Sequence, residues 1–167
     1  PPIRLLPLGL AALALSLFVL LLRGCAITRE ETGVPGAQPE DISAVIAVYD
    51  DENDRVLSMR LEEYLCGVVA AEMPASFEEE ALKAQAVAAR TFTLRRLPAC
   101  GGTPCGRCGA DVCTDSTCCQ SYRSAEQLAS KWGADAAYYS ARVEEAVYST
   151  AGEVATYEGA LIEALYH

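Results

Sequence analysis

Six of the eight cysteines fall between residues 98 and 122, in the stretch LPACGGTPCGRCGADVCTDSTCCQS, where apolar residues are few. A segment with so little to bury cannot order itself by hydrophobic collapse and needs cross-links, either thiolates on a structural zinc or disulfides. Cys105 and Cys108 form a C-x-x-C pair, a spacing that suits metal. The other consideration is compartment, and it points to disulfides. Residues 5 to 22, LLPLGLAALALSLFVLLL, are eighteen consecutive uncharged and mostly apolar positions, enough to cross a hydrocarbon core as a helix. Residues 1–23 therefore read as a transmembrane or signal anchor, ahead of a cleavable signal peptide, because LLRGCA is a poor small-x-small cleavage site. Charge does not orient the span, since Arg4 lies before it and Arg23 and Arg29 after it. From spacing and compartment together, zinc and disulfides stand level.

Beyond the apolar run, residues 24–42 mix Gly, Pro and acids without periodicity, as a linker does. The folded part is expected from residue 43. SAVIAVYDDENDRVLSMR places two apolar runs around Asp50 to Asp54 and predicts a hairpin. LEEYLCGVVAAEM sets Leu61, Leu65, Val68 and Glu72 on one helical face, so a carboxylate is expected on the buried side, at a helix end forced by Pro74. A second helix is expected to about Leu97, with Ser76 and Glu79 as a capping box and a small-residue stripe through Leu82, Ala86, Ala89, Thr93 and Leu97. Helix is again expected within residues 124–150, and two short strands around Glu158-Gly159 close the chain. The chain stops inside an apolar run, which reads as a truncation. The pattern is that of an α+β domain, helices packed against short antiparallel strands.

Charge and histidine content narrow the function. Asp plus Glu number 23 against 13 Lys plus Arg, a formal net charge of -10, which leaves no basic field for a phosphate backbone, so nucleic acid is not an expected partner. The single histidine is His167, so neither a Ser-His-Asp hydrolase nor a histidine-rich metal centre can be assembled, and acid/base work falls to carboxylates, tyrosines or cysteines. Glu72 is the first candidate. Desolvation on an apolar face would keep it protonated and able to act as a general acid. The commoner outcome of such spacing is a buried carboxylate neutralised by Lys83 or Arg90, which share a face of the next helix.

The segment GVVAAEMPASFEEEALKAQAVAARTF, together with LSMRLEEYLCG, ADVCTDSTCCQSY and AVYSTAGEVATYEGALIEALYH, closely resembles the SpoIID family, the sporulation stage II protein D domain, over residues 43–167. The resemblance implies a membrane-anchored lytic transglycosylase on the extracytoplasmic side of the cell membrane. Such an enzyme cuts peptidoglycan glycan strands stripped of stem peptides by a cell-wall amidase, and other membrane-anchored sporulation proteins are its implied company. It makes Glu72 the catalytic acid, and Lys83, Arg90 and Tyr166 supporting or substrate-binding groups. It also implies zinc on one histidine and two cysteines. Cys113 and Cys119 match the cysteines, Arg107 stands in the histidine register, and Cys108 is the expected replacement, with Cys105 or Cys118 as fourth ligand. The alternative within the same resemblance is a non-catalytic, glycan-binding enhancer of an amidase.

Overall fold

A computed structural model describes residues 44–166; the expected membrane anchor and the linker lie outside the described residues. Strands β1 (Val45–Asp50) and β2 (Arg55–Arg60) form the expected hairpin, in register from Val45↔Arg60 to Asp50↔Arg55. Its turn carries Asp54 at a positive φ of 49°, and Tyr49 Oη donates to the Asp54 carboxylate at 2.8 Å. Alternation works as the strand period demands: Ile46 and Val48 point into the core, while Val45 stays exposed. A two-residue strand, β3 (Val112–Cys113), adds to the other side of β1 in the parallel sense, giving the order β2-β1-β3. The sheet is thus mixed, whereas the sequence pattern suggested antiparallel pairing throughout.

Helix α1 (Leu61–Glu72) follows β2 without a loop, and the Leu61 N–H donates to Ala44 O at 2.8 Å. Helix α2 (Glu79–Arg96) runs alongside it. The helix starts later than the sequence suggests. Ser76 does not cap it, because the turn after Pro74 is closed by the Phe77 N–H on Pro74 O at 3.0 Å, and Glu78 becomes the first residue to accept from the helix. The capping box forms elsewhere, where Ser124 and Gln127 bond reciprocally at the start of α3 (Ala125–Trp132). Helix α4 (Ala136–Ser149) then packs against both α1 and α2, and β4 (Thr156–Tyr157) and β5 (Ala160–Leu161) form the terminal hairpin.

Tyr64, Leu65 and Val68 from α1, Leu82, Ala86 and Ala89 from α2, and Val143, Ala146 and Val147 from α4 make the core, with Ile46, Val48 and Val112 of the sheet beneath them. The alanines of α2 let the helices approach closely. Gly67 serves a similar end on α1: a Cβ there would lie 2.3 Å from the Tyr122 ring, which crosses at that point and stacks on Tyr64 with centroids 5.6 Å apart. The segment ending at Tyr122 is thereby held against the helix that ends at Glu72. No helix among the described residues is long and apolar enough to cross a membrane.

Candidate functional site

The side of the molecule where α1 ends carries a groove of about 340 Å³, lined by Glu72, Arg96, residues 116–121 and Tyr166 among others. Glu72 is the last residue of α1, and Met73 beyond it is extended (φ -129°, ψ 140°) ahead of Pro74. The carboxylate is exposed, which corrects the expectation of a buried side chain. Leu61, Leu65 and Val68 of the same face are buried as expected, but the helix ends just where the apolar body stops, so its last residue projects past the core. The carboxylate is nonetheless held, since its Oε1 accepts the Ser121 backbone N–H at 2.8 Å.

Tyr166 reaches the same groove from the end of the chain. Gln120, itself buried, bridges it to α2. The Gln120 carbonyl oxygen bonds the Thr93 hydroxyl at 3.0 Å, and its amide N–H donates to Tyr166 Oη. That polarity leaves the phenolic hydrogen of Tyr166 for the groove. Burial pushes this phenol up to about 12, so it stays protonated and acts as a donor at neutral pH.

Arg90 and Lys83 are not in the groove. Arg90 is 1% exposed and forms a two-pronged ion pair with the equally buried Glu62, Nε to Oε1 at 3.0 Å and Nη2 to Oε2 at 2.6 Å. Its remaining donors go to Val147 O at 2.9 Å, Glu153 O at 3.2 Å and the Thr150 hydroxyl oxygen at 3.4 Å. The expected buried glutamate on α1 therefore exists, and it is Glu62 rather than Glu72. A guanidinium enclosed in this way ties α1, α2 and the end of α4 together and has no surface to offer a glycan, which corrects its expected substrate-binding place. Lys83 bonds the carboxylates of its own helix, Glu79 at 2.6 Å and Glu80 at 3.0 Å, and these partners hold its ammonium above the usual lysine range.

Four sulfurs, those of Cys105, Cys113, Cys118 and Cys119, lie within 4.8 Å of one another. Zinc bound tetrahedrally at about 2.3 Å to each thiolate sets the sulfurs ~3.8 Å apart, so a four-thiolate set gathered this closely is of a kind that fits that ion. All seven described cysteines are free thiols, the form that ligates metal on losing its proton. Burial raises the Cys113 thiol well above its usual range and the Cys119 thiol to about 11. Without a cation both would be protonated and poor nucleophiles. Cys108, the expected third ligand, is outside the group. The Cys105 N–H bonds Asp111 O at 3.0 Å and the Gly106 N–H bonds Ala110 O at 3.3 Å, closing a small loop whose base is Cys105 and whose exposed tip is Cys108, at a φ of 48°. Arg107, in the histidine register, clamps Asp51 at 2.6 Å and Asp115 at 2.8 Å instead.

Arg96, Gln120 and Ser121 are among the groove residues that the sequence did not single out. Arg96 offered only the i,i+4 spacing to Phe92, over whose ring its guanidinium lies at 4.6 Å, and Gln120 only its place after two adjacent cysteines. Cys118 and Cys119 line the groove as well as the sulfur cluster, so the cluster is braced directly against the residues that hold Glu72 and Tyr166.

Comparison with known proteins bears on the family of the chain. The stage II sporulation protein D of Bacillus amyloliquefaciens is 38% identical over 181 aligned residues, covering 99% of this chain and 52% of that protein. The same-named protein of Bacillus subtilis (strain 168) is 37% identical over 150 residues, 86% of this chain and 43% of its own length. This chain thus spans about half the length of the curated relatives it matches. The SpoIID model, described as stage II sporulation protein, matches residues 49–157, a stretch that runs from the hairpin through the groove and sulfur cluster to the terminal strands. With most of its folded length matched in this way, the chain belongs to the SpoIID family.

Proposed function

We propose that this protein is a lytic transglycosylase that cleaves the bond from N-acetylmuramic acid to N-acetylglucosamine in peptide-free glycan strands, with Glu72 as the acid. The observation that carries the proposal is that Glu72 is the one carboxylate among the described residues lining the groove. Most glycosidases need a second carboxylate as nucleophile or base. An intramolecular transfer does not. Glu72 gives its proton to the linking oxygen as positive charge develops at the anomeric carbon, and the carboxylate so formed takes the proton of the sugar's own 6-hydroxyl. That hydroxyl oxygen bonds the anomeric carbon as the glycosidic bond breaks, leaving a 1,6-anhydro end and a free 4-hydroxyl on the departing sugar. The tethered nucleophile avoids the entropy of capturing water. The Ser121 N–H aims the carboxylate, and Tyr166 donates to the bound sugar.

Zinc on Cys105, Cys113, Cys118 and Cys119 would supply a closed four-thiolate cross-link with no open position. Its effect on the reaction would be to hold residues 118–121 in place. In the cell, the chain is anchored by its N-terminal apolar run with the domain outside the cytoplasm, beside an amidase that strips the strands and other membrane-anchored sporulation proteins. A second reading, a glycan-binding enhancer of that amidase, draws on the exposure of Glu72, since a carboxylate open to water is shielded only when a glycan covers it.

Incubation of the full chain in detergent with peptide-free glycan, followed by mass spectrometry, tests the proposal. Anhydro ends are expected from the wild-type chain, with a loss of about 10²–10⁴-fold for Glu72→Gln and unchanged folding. Binding of glycan without cleavage by either chain would favour the enhancer. Undiminished anhydro product from Glu72→Gln would remove Glu72 from the acid role.

A further inference from the structure

Among the described residues the groove holds one anion, Glu72, and one cation, Arg96, and the cation has no carboxylate partner there. Arg96 leaves the last turn of α2, stacks its guanidinium on Phe92, and donates one N–H from Nη2 to Cys118 O at 3.2 Å. The ring fixes the plane of the guanidinium and the carbonyl fixes its rotation. Its other donors are uncommitted among the described residues. Arg142, also half-buried and without a carboxylate partner, differs in having both arms of its guanidinium engaged, Nε on Ala75 O and Nη2 on Phe77 O. Arg96 and Glu72 line the same groove without forming an ion pair, so each remains available to a ligand. A planar fork with free donors, held rigidly in a concave site, is suited to a carboxylate.

We propose that Arg96 is the specificity-determining residue of this groove and binds the free lactyl carboxylate of a peptide-free muramic acid unit. This rests on the reading of the groove as a glycan site. The chemistry of the substrate supplies the argument. Removing a stem peptide hydrolyses the amide at the lactyl group and turns a neutral carbonyl into an anion, so charge at that position is what distinguishes a stripped unit from an unstripped one. A fixed guanidinium near the acid favours the stripped form by attraction and gives the neutral amide only an ordinary hydrogen bond. Selection for stripped strands then follows from one side chain, with no need for a pocket that measures peptide length.

A cycle that alters both partners tests this. The probes are a tetrasaccharide of alternating N-acetylglucosamine and N-acetylmuramic acid with free lactyl carboxylates, and its lactyl methyl ester. Their dissociation constants are measured on the full chain in detergent carrying Glu72→Gln to prevent turnover, with and without Arg96→Gln. The free acid is expected to bind about tenfold more tightly than the ester when Arg96 is present, and within about twofold when it is absent. Arg96→Lys should keep part of the preference, because it keeps the charge and loses the fork. Since the ester removes the interaction from the ligand side, a disturbance of Phe92 or Cys118 by the substitution does not imitate the result. Equal binding of acid and ester to the Arg96 chain, or a preference that survives Arg96→Gln, would overturn the assignment of Arg96 while leaving the groove a glycan site. Failure of both saccharides to bind would overturn the glycan reading itself, and this inference with it.

Discussion

Two glutamates ten residues apart on one helix have opposite surroundings, and the difference decides what each can do. Glu62 is enclosed with Arg90 and its charge is neutralised there; Glu72 lies open at the groove with one oxygen on a backbone amide. Removing one partner of an enclosed pair strands the other charge away from water, at a cost of about 3–5 kcal/mol. Arg90→Ala is therefore expected to lower unfolding stability by about that amount in urea titrations, whereas Glu72→Gln leaves the midpoint nearly unchanged. If activity is lost in Arg90→Ala, it should fall with the folded fraction, and addition of a saturating glycan should not restore it. An Arg90→Ala chain of native stability with only a raised KM would return Arg90 to a substrate-binding role. The two glutamates look alike in sequence because their partners are remote, Arg90 lying 28 positions from Glu62 and Ser121 lying 49 from Glu72.

At the scale of elements, the feature to explain is how a cysteine-rich segment with few apolar side chains comes to position a carboxylate at the end of a helix. Val112 and Cys113 anchor it to β1, Tyr122 anchors it over Gly67, and the four sulfurs converge beside them, where a metal would fasten the segment. Metal bound there should protect Cys105, Cys113, Cys118 and Cys119 from iodoacetamide, while the exposed Cys100 and Cys108 react quickly. Cys66, pushed up to about 12 by burial, should be slow at pH 8 with or without metal, because little of it is thiolate there. Chelation is expected to open the four cluster positions to labelling, lower Tm and reduce glycan cleavage together. Protection of Cys108 in place of Cys105 would restore the ligand set suggested by spacing. Elements themselves were readable, since strand alternation, the Pro74 break and the turn at Glu158-Gly159 are local patterns. What spacing could not show was the small loop that carries Cys108 away from the other sulfurs, because it depends on backbone bonds from residues 105 and 106 to residues 110 and 111.

For the molecule as a whole, the described body is a three-helix core on a small mixed sheet, with the groove at the edge where α1, the cysteine-rich segment and the end of the chain meet. Glu72 and Tyr166, ninety-four positions apart, were both singled out from the sequence by resemblance, and the fold brings them to one groove. Lys83 and Arg90 were singled out in the same way and are occupied by carboxylates of the protein itself. The difference is physical: both cations lie within reach of carboxylates of the protein itself, Lys83 of Glu79 and Glu80 one turn back and Arg90 of Glu62 on the neighbouring helix. In the proposed reaction Glu72 hands a proton to the bond that breaks. A crystal structure of the Glu72→Gln chain with a bound peptide-free glycan tests it most directly. The linking oxygen is expected within about 2.6–3.2 Å of the residue-72 side chain, with the muramic acid 6-hydroxyl turned toward the same group. A glycan lying in the groove with that oxygen out of reach, or bound on another face, would contradict it.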